Sequence, residues 1–223
     1  MKNLLVLGCS ISDYTHVDRT WGEILAKQYN LNYIHEAAGC GSNWRMWRRA
    51  FDLIDNNIIT KQDVIVVQYT ELIRREFWSP YQNESRPLHG SNGKSNMTEA
   101  YDDGHITRYK IDAEQLGDYT KKEQAFFKSY TRMLNPKFEL ESFRMMHNMF
   151  QGYMSDKGFA NLYFLKCADF GVLYEYNKFH KIYQNNYIHA PDAFDNHLPN
   201  DQGHMNQQGH QLLADLVYQK LSI

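Results

Sequence analysis

The chain has 223 residues, a formal net charge of −2 and an aromatic content of 14%. This length suits a single α/β domain with a sizeable core, and the near-neutral charge provides no basic field for nucleic acid or an anionic membrane. No apolar run approaches the roughly 18 residues that a membrane span needs, and the 3 cysteines are too few for a disulfide scaffold. We therefore expect one reduced domain over residues 1–223, without a nucleic-acid partner.

The N-terminal sequence LVLGC, which ends at Cys9, looks like a bacterial lipoprotein cleavage box. Its apolar part, Leu4 to Leu7, is shorter than the roughly 7–15 residues of a signal-peptide core. We interpret it as a buried first strand and expect a cytoplasmic protein.

Strand and helix patterns alternate in the first third of the chain. The five segments are Asn3–Gly8 (strand), Trp21–Tyr29 (helix), Asn32–Ala37 (strand), Ser42–Ile58 (helix) and Asp63–Thr70 (strand). This β-α-β-α-β order predicts a parallel sheet that is covered by helices on both faces.

The middle of the chain interrupts this order. Residues 79–117 are rich in proline, glycine and small polar residues, which predicts an irregular insertion, interpreted as a lid or a substrate-binding loop. Two amphipathic helices follow (Lys121–Leu134 and Lys137–Gly158), and then a fourth strand (Asn161–Cys167) and a closing helix.

Chemically useful residues follow the predicted strands. Ligands bind at the carboxyl ends of the strands in an open parallel sheet, and Ser10 stands directly after the first strand in the sequence GCSIS. A serine nucleophile needs a base and an acceptor that orients the base. In the last polar loop, DQGH supplies His204 as the base and Asp201 as its orienter.

An acyl-transfer site also needs donors for the negative charge that develops on the substrate carbonyl. The backbone N–H of Ser10 is one candidate, and that of Gly39 or Gly41, in the sequence AAGCGSN, is another. We favour Gly41 because it leads directly into the helix that begins near Asn43.

These blocks resemble the SGNH hydrolases, also called GDSL-type esterases. GCS is similar to their first block, AGCGSN to their second, and DQGH with the helix after it to their last D-x-x-H block. The resemblance implies a flavodoxin-like, three-layer α/β/α sandwich with about five parallel strands. It also implies that Ser10, His204 and Asp201 form a catalytic triad that acts on esters without a metal or other cofactor.

Two positions depart from the family pattern. Cys9 replaces the usual acid of the first block, and QYTEL replaces the third block, which normally supplies an asparagine donor. Glu71 falls near that asparagine position, where a carboxylate would repel an oxyanion. The residues considered as alternative donors or substrate contacts are Gln68, Thr70, Asn43, Arg74 and Arg75.

Other chemistry remains open at these positions. His197, Asp201, His204 and His210 have the ligand types of a metal site, and Asp195 with His197 forms a second acid–histidine pair. Cys9 and Cys40 both follow strands, so a catalytic cysteine or a redox pair is a further alternative.

The sequence favours a serine esterase that removes acyl groups, with O-acetyl groups of a carbohydrate as the substrate considered first. Transfer of the acyl group to a second sugar would use the same residues. The alternative outside catalysis is an SGNH-fold module that binds a glycan or a protein, because the altered third block weakens the oxyanion hole.

Overall fold

The computed structural model describes residues 1–14, 17–39, 41–70, 76–79, 84–87, 97–102, 105–111, 120–133, 136–166, 186–190 and 204–221. In chain order, the elements are β1 (Asn3–Gly8), α1 (Trp21–Gln28), β2 (Asn32–Ala37), α2 (Asn43–Asp55), β3 (Val64–Gln68), β4 (Glu76–Ser79), β5 (Glu84–Pro87), β6 (Met97–Asp102), β7 (His105–Ile111), α3 (Lys121–Met133), α4 (Pro136–Asp156), β8 (Leu162–Lys166), β9 (Tyr187–His189) and α5 (Gln207–Lys220).

The central sheet has five parallel strands in the order β2-β1-β3-β8-β9. Strands β1, β3 and β8 are apolar along almost their whole length and are buried, as expected of strands that are covered on both faces. The order reverses between β1 and β3, which is the flavodoxin-like arrangement. The predicted fold class is confirmed.

Helices pack in pairs over the sheet. The Tyr29 and Tyr218 rings lie 4.5 Å apart where α1 meets α5. The Trp47 ring of α2 lies 5.6 Å from the Phe143 ring of α4. These pairs form the outer layers of the sandwich and bury the apolar strands between them.

Side-chain capping determines where the helices begin. The side chains of Thr20, Ser42 and Asn206 each accept a hydrogen bond from the backbone N–H three residues later, which satisfies a donor that the first turn leaves unpaired.

Helix α2 ends earlier than its apolar spacing predicts. Asn57 has φ 56°, and the N–H groups of Asn57 and Ile58 return to the carbonyls of Ile54 and Leu53. This is a left-handed helix termination, a conformation that glycine usually adopts and asparagine sometimes adopts. Helix α2 therefore stops at Asp55, and Ile58 lies beyond it.

The segment expected to be irregular, residues 79–117, contains the last residue of β4 and the whole of β5, β6 and β7. Strand β4 pairs with β5, and β6 pairs with β7, both antiparallel and both outside the central sheet. Residues of β7 such as Ile106, Thr107 and Tyr109 favour extended backbone. The abundance of proline and glycine around these strands hid that preference in the sequence.

Gly8 lies at the end of β1, where the packing leaves no room for a side chain. A Cβ on Gly8 would come within 2.8 Å of the Ser12 Cβ and 3.0 Å of the Gln68 Oε1. We expect Gly8→Ala to destabilise the protein by about 1–3 kcal/mol through overpacking, measured as the free energy of unfolding in urea.

A Cβ on Gly152 of α4 would have no neighbour within 4 Å, so Gly152→Ala is the control. We expect it to raise stability by up to about 1 kcal/mol. Equal stability of Gly8→Ala and the parent would contradict the close packing at β1.

Candidate functional site

The turn that follows β1 exposes one side chain. Residues Ser10–Ser12 form a short 3₁₀ turn, in which Ser12 N–H donates to the Cys9 carbonyl and Asp13 N–H to the Ser10 carbonyl. Cys9, Ile11 and Ser12 are buried, whereas Ser10 is partly exposed. The turn does not use the Ser10 N–H, because the first residues of a helical turn have no acceptor within it. Ser10 is therefore available both as a nucleophile and as a backbone donor.

The position of this turn matches that of a ligand site. Strand β1 lies between β2 and β3, where the strand order reverses, and such a point opens a crevice at the carboxyl edge of a parallel sheet. The Ser10 side chain makes no hydrogen bond to another described residue. Catalytic hydrogen bonds are often long before substrate binds, so this geometry is compatible with a nucleophile.

The glycine turn after β2 packs against the end of β1. Ala38 N–H donates to the Gly8 carbonyl at 3.2 Å, and Gly41 N–H donates to the Ala38 carbonyl at 2.9 Å. A Cβ on Gly41 would lie 2.9 Å from the Gly8 carbonyl oxygen, whereas the nearest atom to one on Gly39 is 4.0 Å away. In this conformation the Gly41 N–H closes the turn, and an oxyanion role for Gly39 or Gly41 stays a prediction.

Gln68 and Asn43 are directed inward. Gln68 Nε2 donates to the Tyr69 carbonyl, and its Oε1 accepts from the Ser12 hydroxyl. The Asn43 amide exchanges two hydrogen bonds with the backbone of Thr70, at 2.9 and 3.1 Å. Both side chains are almost completely buried. They hold the exit of β3 in this conformation, and a role for either in the oxyanion hole stays a prediction.

The segment before α5 places two histidines close together. His204 is partly buried and precedes the helix, while His210 is buried in its first turn. Burial, assisted by the charge of nearby His204, lowers the pKa of His210 to about 4. Nδ1 of His210 accepts the Trp21 N–H at 3.0 Å, so neutral His210 carries its proton on Nε2. The predicted base therefore lies beside a histidine that ties α5 to the start of α1.

Asp13 and His35 support the turn after β1 from the side of β2. His35 Nε2 of β2 lies 3.7 Å from Asp13 Oδ1 and 3.1 Å from the Ser12 carbonyl oxygen. The Tyr14 and His35 ring centroids lie 4.9 Å apart. Since one ring nitrogen faces both oxygens, this pair supports the loop between β1 and α1. The sequence pattern gave no indication of it, because Asp13 and His35 lie far apart in the chain.

Several predicted site residues lie outside the described residues: Asp201, Glu71, Arg74, Arg75, Cys40, Asp195 and His197. The described ranges contain no group of three or more metal-ligating side chains.

Cys9 is buried against Gln68, with Sγ 3.5 Å from Nε2, so a substrate cannot reach it in this conformation. None of the helices in those ranges is both long and apolar enough to cross a bilayer.

Ser12 and Trp21 belong to the site, although the sequence did not single them out. The Trp21 indole N–H donates to the Ser12 hydroxyl at 2.7 Å, and both side chains are fully buried. A buried tryptophan usually finds a partner for its N–H. That rule could have linked Trp21 to a nearby hydroxyl, but only the fold identifies which one.

Comparisons with solved structures agree on the fold. A G-D-S-L family protein from Desulfitobacterium hafniense DCB-2 matches with a TM-score of 0.55 and 10% identity, covering 99% of this chain and 100% of that one. The psychrotrophic esterase EstA from Pseudoalteromonas sp., in a structure inhibited by monoethylphosphonate, matches with a TM-score of 0.51 and 10% identity, covering 99% and 96%. No protein-family model matches the sequence, and no curated protein matches it. At this identity the likeness concerns the fold, and it agrees with the resemblance of the sequence blocks to SGNH hydrolases.

Proposed function

We propose that this chain, which has the fold of the SGNH hydrolases, is a serine esterase that works through an acyl-serine intermediate. The observation that carries the proposal is the position of Ser10. It is the accessible side chain of an otherwise buried turn, at the carboxyl edge of the sheet where the strand order reverses.

The reaction follows from the roles of three side chains. Ser10 Oγ attacks the ester carbonyl carbon while His204 takes its proton, and the alcohol leaves with that proton. Water then attacks the acyl-serine, His204 again relays the proton, and the acid is released. Asp201 would orient the His204 ring, and the N–H groups of Ser10 and of Gly39 or Gly41 would stabilise the oxyanion.

The substrate we propose is an O-acetylated carbohydrate. The chain contains 16 tyrosines, and aromatic rings provide flat surfaces on which sugars pack. Transfer of the acetyl group to a second sugar requires the same acyl-serine, with a sugar hydroxyl replacing water in the second step.

A non-catalytic binding module is the second candidate. It is favoured by the third block, because the amides of Gln68 and Asn43 are used inside the protein and, in the sequence, Glu71 falls near the position of the family's asparagine. Loss of one oxyanion donor typically lowers the rate by about 10²–10³-fold, so a poor donor set would leave binding as the main activity.

Pre-steady-state hydrolysis of p-nitrophenyl acetate and butyrate separates the two candidates. An acyl-serine enzyme releases a burst of nitrophenol close to one equivalent of protein and then turns over more slowly. A chelator should not change the burst. A folded protein that gives neither burst nor turnover with either ester would favour the binding module, and activity that is lost with the chelator would favour a metal-dependent hydrolase.

A further inference from the structure

A chain of buried hydrogen bonds begins at Gln68, at the end of β3. Its Oε1 accepts from the Ser12 hydroxyl at 2.9 Å and from the Cys9 N–H at 3.3 Å. Its Nε2 donates to the Tyr69 carbonyl at 3.0 Å, which identifies the other atom as the acceptor. Gln68 therefore holds the turn on both sides of Ser10, through Cys9 and Ser12.

The chain continues to the other end of the site through Trp21. The indole N–H of Trp21 donates to Ser12 Oγ at 2.7 Å, while its backbone N–H donates to His210 Nδ1 at 3.0 Å. The backbone N–H belongs to the first residue of α1, where the helix itself offers no acceptor. Gln68, Ser12, Trp21 and His210 are all at most 2% exposed.

We propose that this relay, from Gln68 through Ser12 and Trp21 to His210, is a positioning device that sets the nucleophile Ser10 and the base His204 relative to each other. This inference rests on the proposed function. Ser10 lies between the two residues that Gln68 holds, and His204 precedes the helix that His210 anchors. The Ser12 hydroxyl and the two Trp21 N–H groups each donate to one buried acceptor.

Such an arrangement matters because acyl transfer is sensitive to small displacements. A misplacement of about 1 Å can lower a rate by about 10²-fold, and buried networks that are fully satisfied hold side chains in one geometry. A defect at Trp21 or His210 should therefore reduce kcat while leaving KM almost unchanged, because these two residues are buried and are not among the proposed substrate contacts.

The test uses two matched pairs of variants of the full chain. Trp21→Phe removes the indole N–H and keeps a buried ring. Trp47→Phe is its control, because the buried Trp47 N–H has no hydrogen-bond partner among the residues that the structure describes. His210→Leu removes the acceptor for the Trp21 N–H, whereas His210→Asn keeps an acceptor close to the position of Nδ1.

Two quantities are measured for each folded variant, well below its melting temperature: the rate of Ser10 phosphonylation by a fluorophosphonate, and kcat and KM for p-nitrophenyl acetate. We expect Trp21→Phe and His210→Leu to lower kcat and the phosphonylation rate by about 10- to 10²-fold. Trp47→Phe and His210→Asn should stay near the parent rates.

Phosphonylation of Trp21→Phe and His210→Leu at the parent rate would overturn the relay alone. Equal loss in Trp47→Phe would also overturn it, since that result indicates a general effect of core substitution. An unmodified parent protein would overturn the proposed serine chemistry, and the positioning role with it. If Trp21→Phe does not fold, the comparison of His210→Leu with His210→Asn is the test of the relay.

Discussion

Alanine at Ser10 or at His204 should lower kcat for ester hydrolysis by about 10⁴-fold or more, and the double variant should lose little beyond either single one. Residues of a serine triad act as one unit, so their effects are far from additive. The measurement is kcat for p-nitrophenyl acetate, with circular dichroism to confirm folding. We expect Asp201→Asn to lower kcat as well, by leaving the His204 ring without its orienting acceptor.

Ser155→Ala is the matched control, because Ser155 is an exposed serine near the end of α4, away from the site. It should retain the parent kcat. If the double variant lost kcat by the product of the two single losses, Ser10 and His204 would act in separate processes. Full activity in Ser10→Ala would remove the nucleophile from the account.

Acid should destabilise the fold strongly, because His147 and His210, among the residues that the structure describes, are buried in the neutral form. Burial lowers the pKa of His147 to about 4, and burial together with the charge of His204 lowers that of His210 to about 4. An unfolded chain has histidines near pKa 6.5. Between these values the unfolded state binds more protons, so stability falls as the pH falls from about 6.5 to about 4. The loss is on the order of 3 kcal/mol for each histidine, and both together approach the stability of a typical domain.

Urea unfolding as a function of pH measures this effect. His210→Asn keeps an acceptor for the Trp21 N–H but does not titrate, so its stability should depend less steeply on pH in this range. The His147 contribution remains in that variant, where Nδ1 lies 2.6 Å from the Tyr69 hydroxyl. A stability that is the same at pH 7 and pH 4 would show that neither histidine is held neutral by the fold.

The elements that could be predicted are those with strong local signals. The apolar runs of β1 and β3 carry their structure in a few adjacent residues. The sequence offered Ser42 or Asn43 as the cap of α2, and the structure uses Ser42. Strand β9 could not be predicted in this way, because Tyr187–His189 is short and joins the sheet only by pairing with β8. Its existence depends on the neighbouring strand rather than on its own pattern.

The candidate site divides in the same way. Ser10 was singled out by the order of all the sequence blocks together, since a serine after a buried strand is a weak signal by itself, and its role as the nucleophile stays a prediction. The direction of the Gln68 amide could not be identified, because it depends on contacts with Cys9, Ser12 and Tyr69 that only the tertiary structure creates. The sequence offered Gln68 as an alternative oxyanion donor, which stays a prediction, and in the structure its amide bonds to Cys9, Ser12 and Tyr69 inside the core.

For His210 the sequence favoured a structural role on the closing helix and left a metal ligand as the alternative. Beside Asp201 and His204 it has the appearance of a metal ligand. Buried on α5, it accepts the Trp21 N–H with one ring nitrogen, and that nitrogen cannot hold a metal at the same time. The distinction depends on α1 and α5 packing together, which no local spacing reveals.

The most direct test of the account is to locate the covalent adduct after a fluorophosphonate reacts with the full chain. Intact-mass spectrometry counts the adducts, and peptide fragmentation identifies the modified residue. We expect one adduct per chain, on Ser10, and none in Ser10→Ala. Modification of Cys9 or of another residue, or ester hydrolysis that continues without any adduct on Ser10, would contradict it.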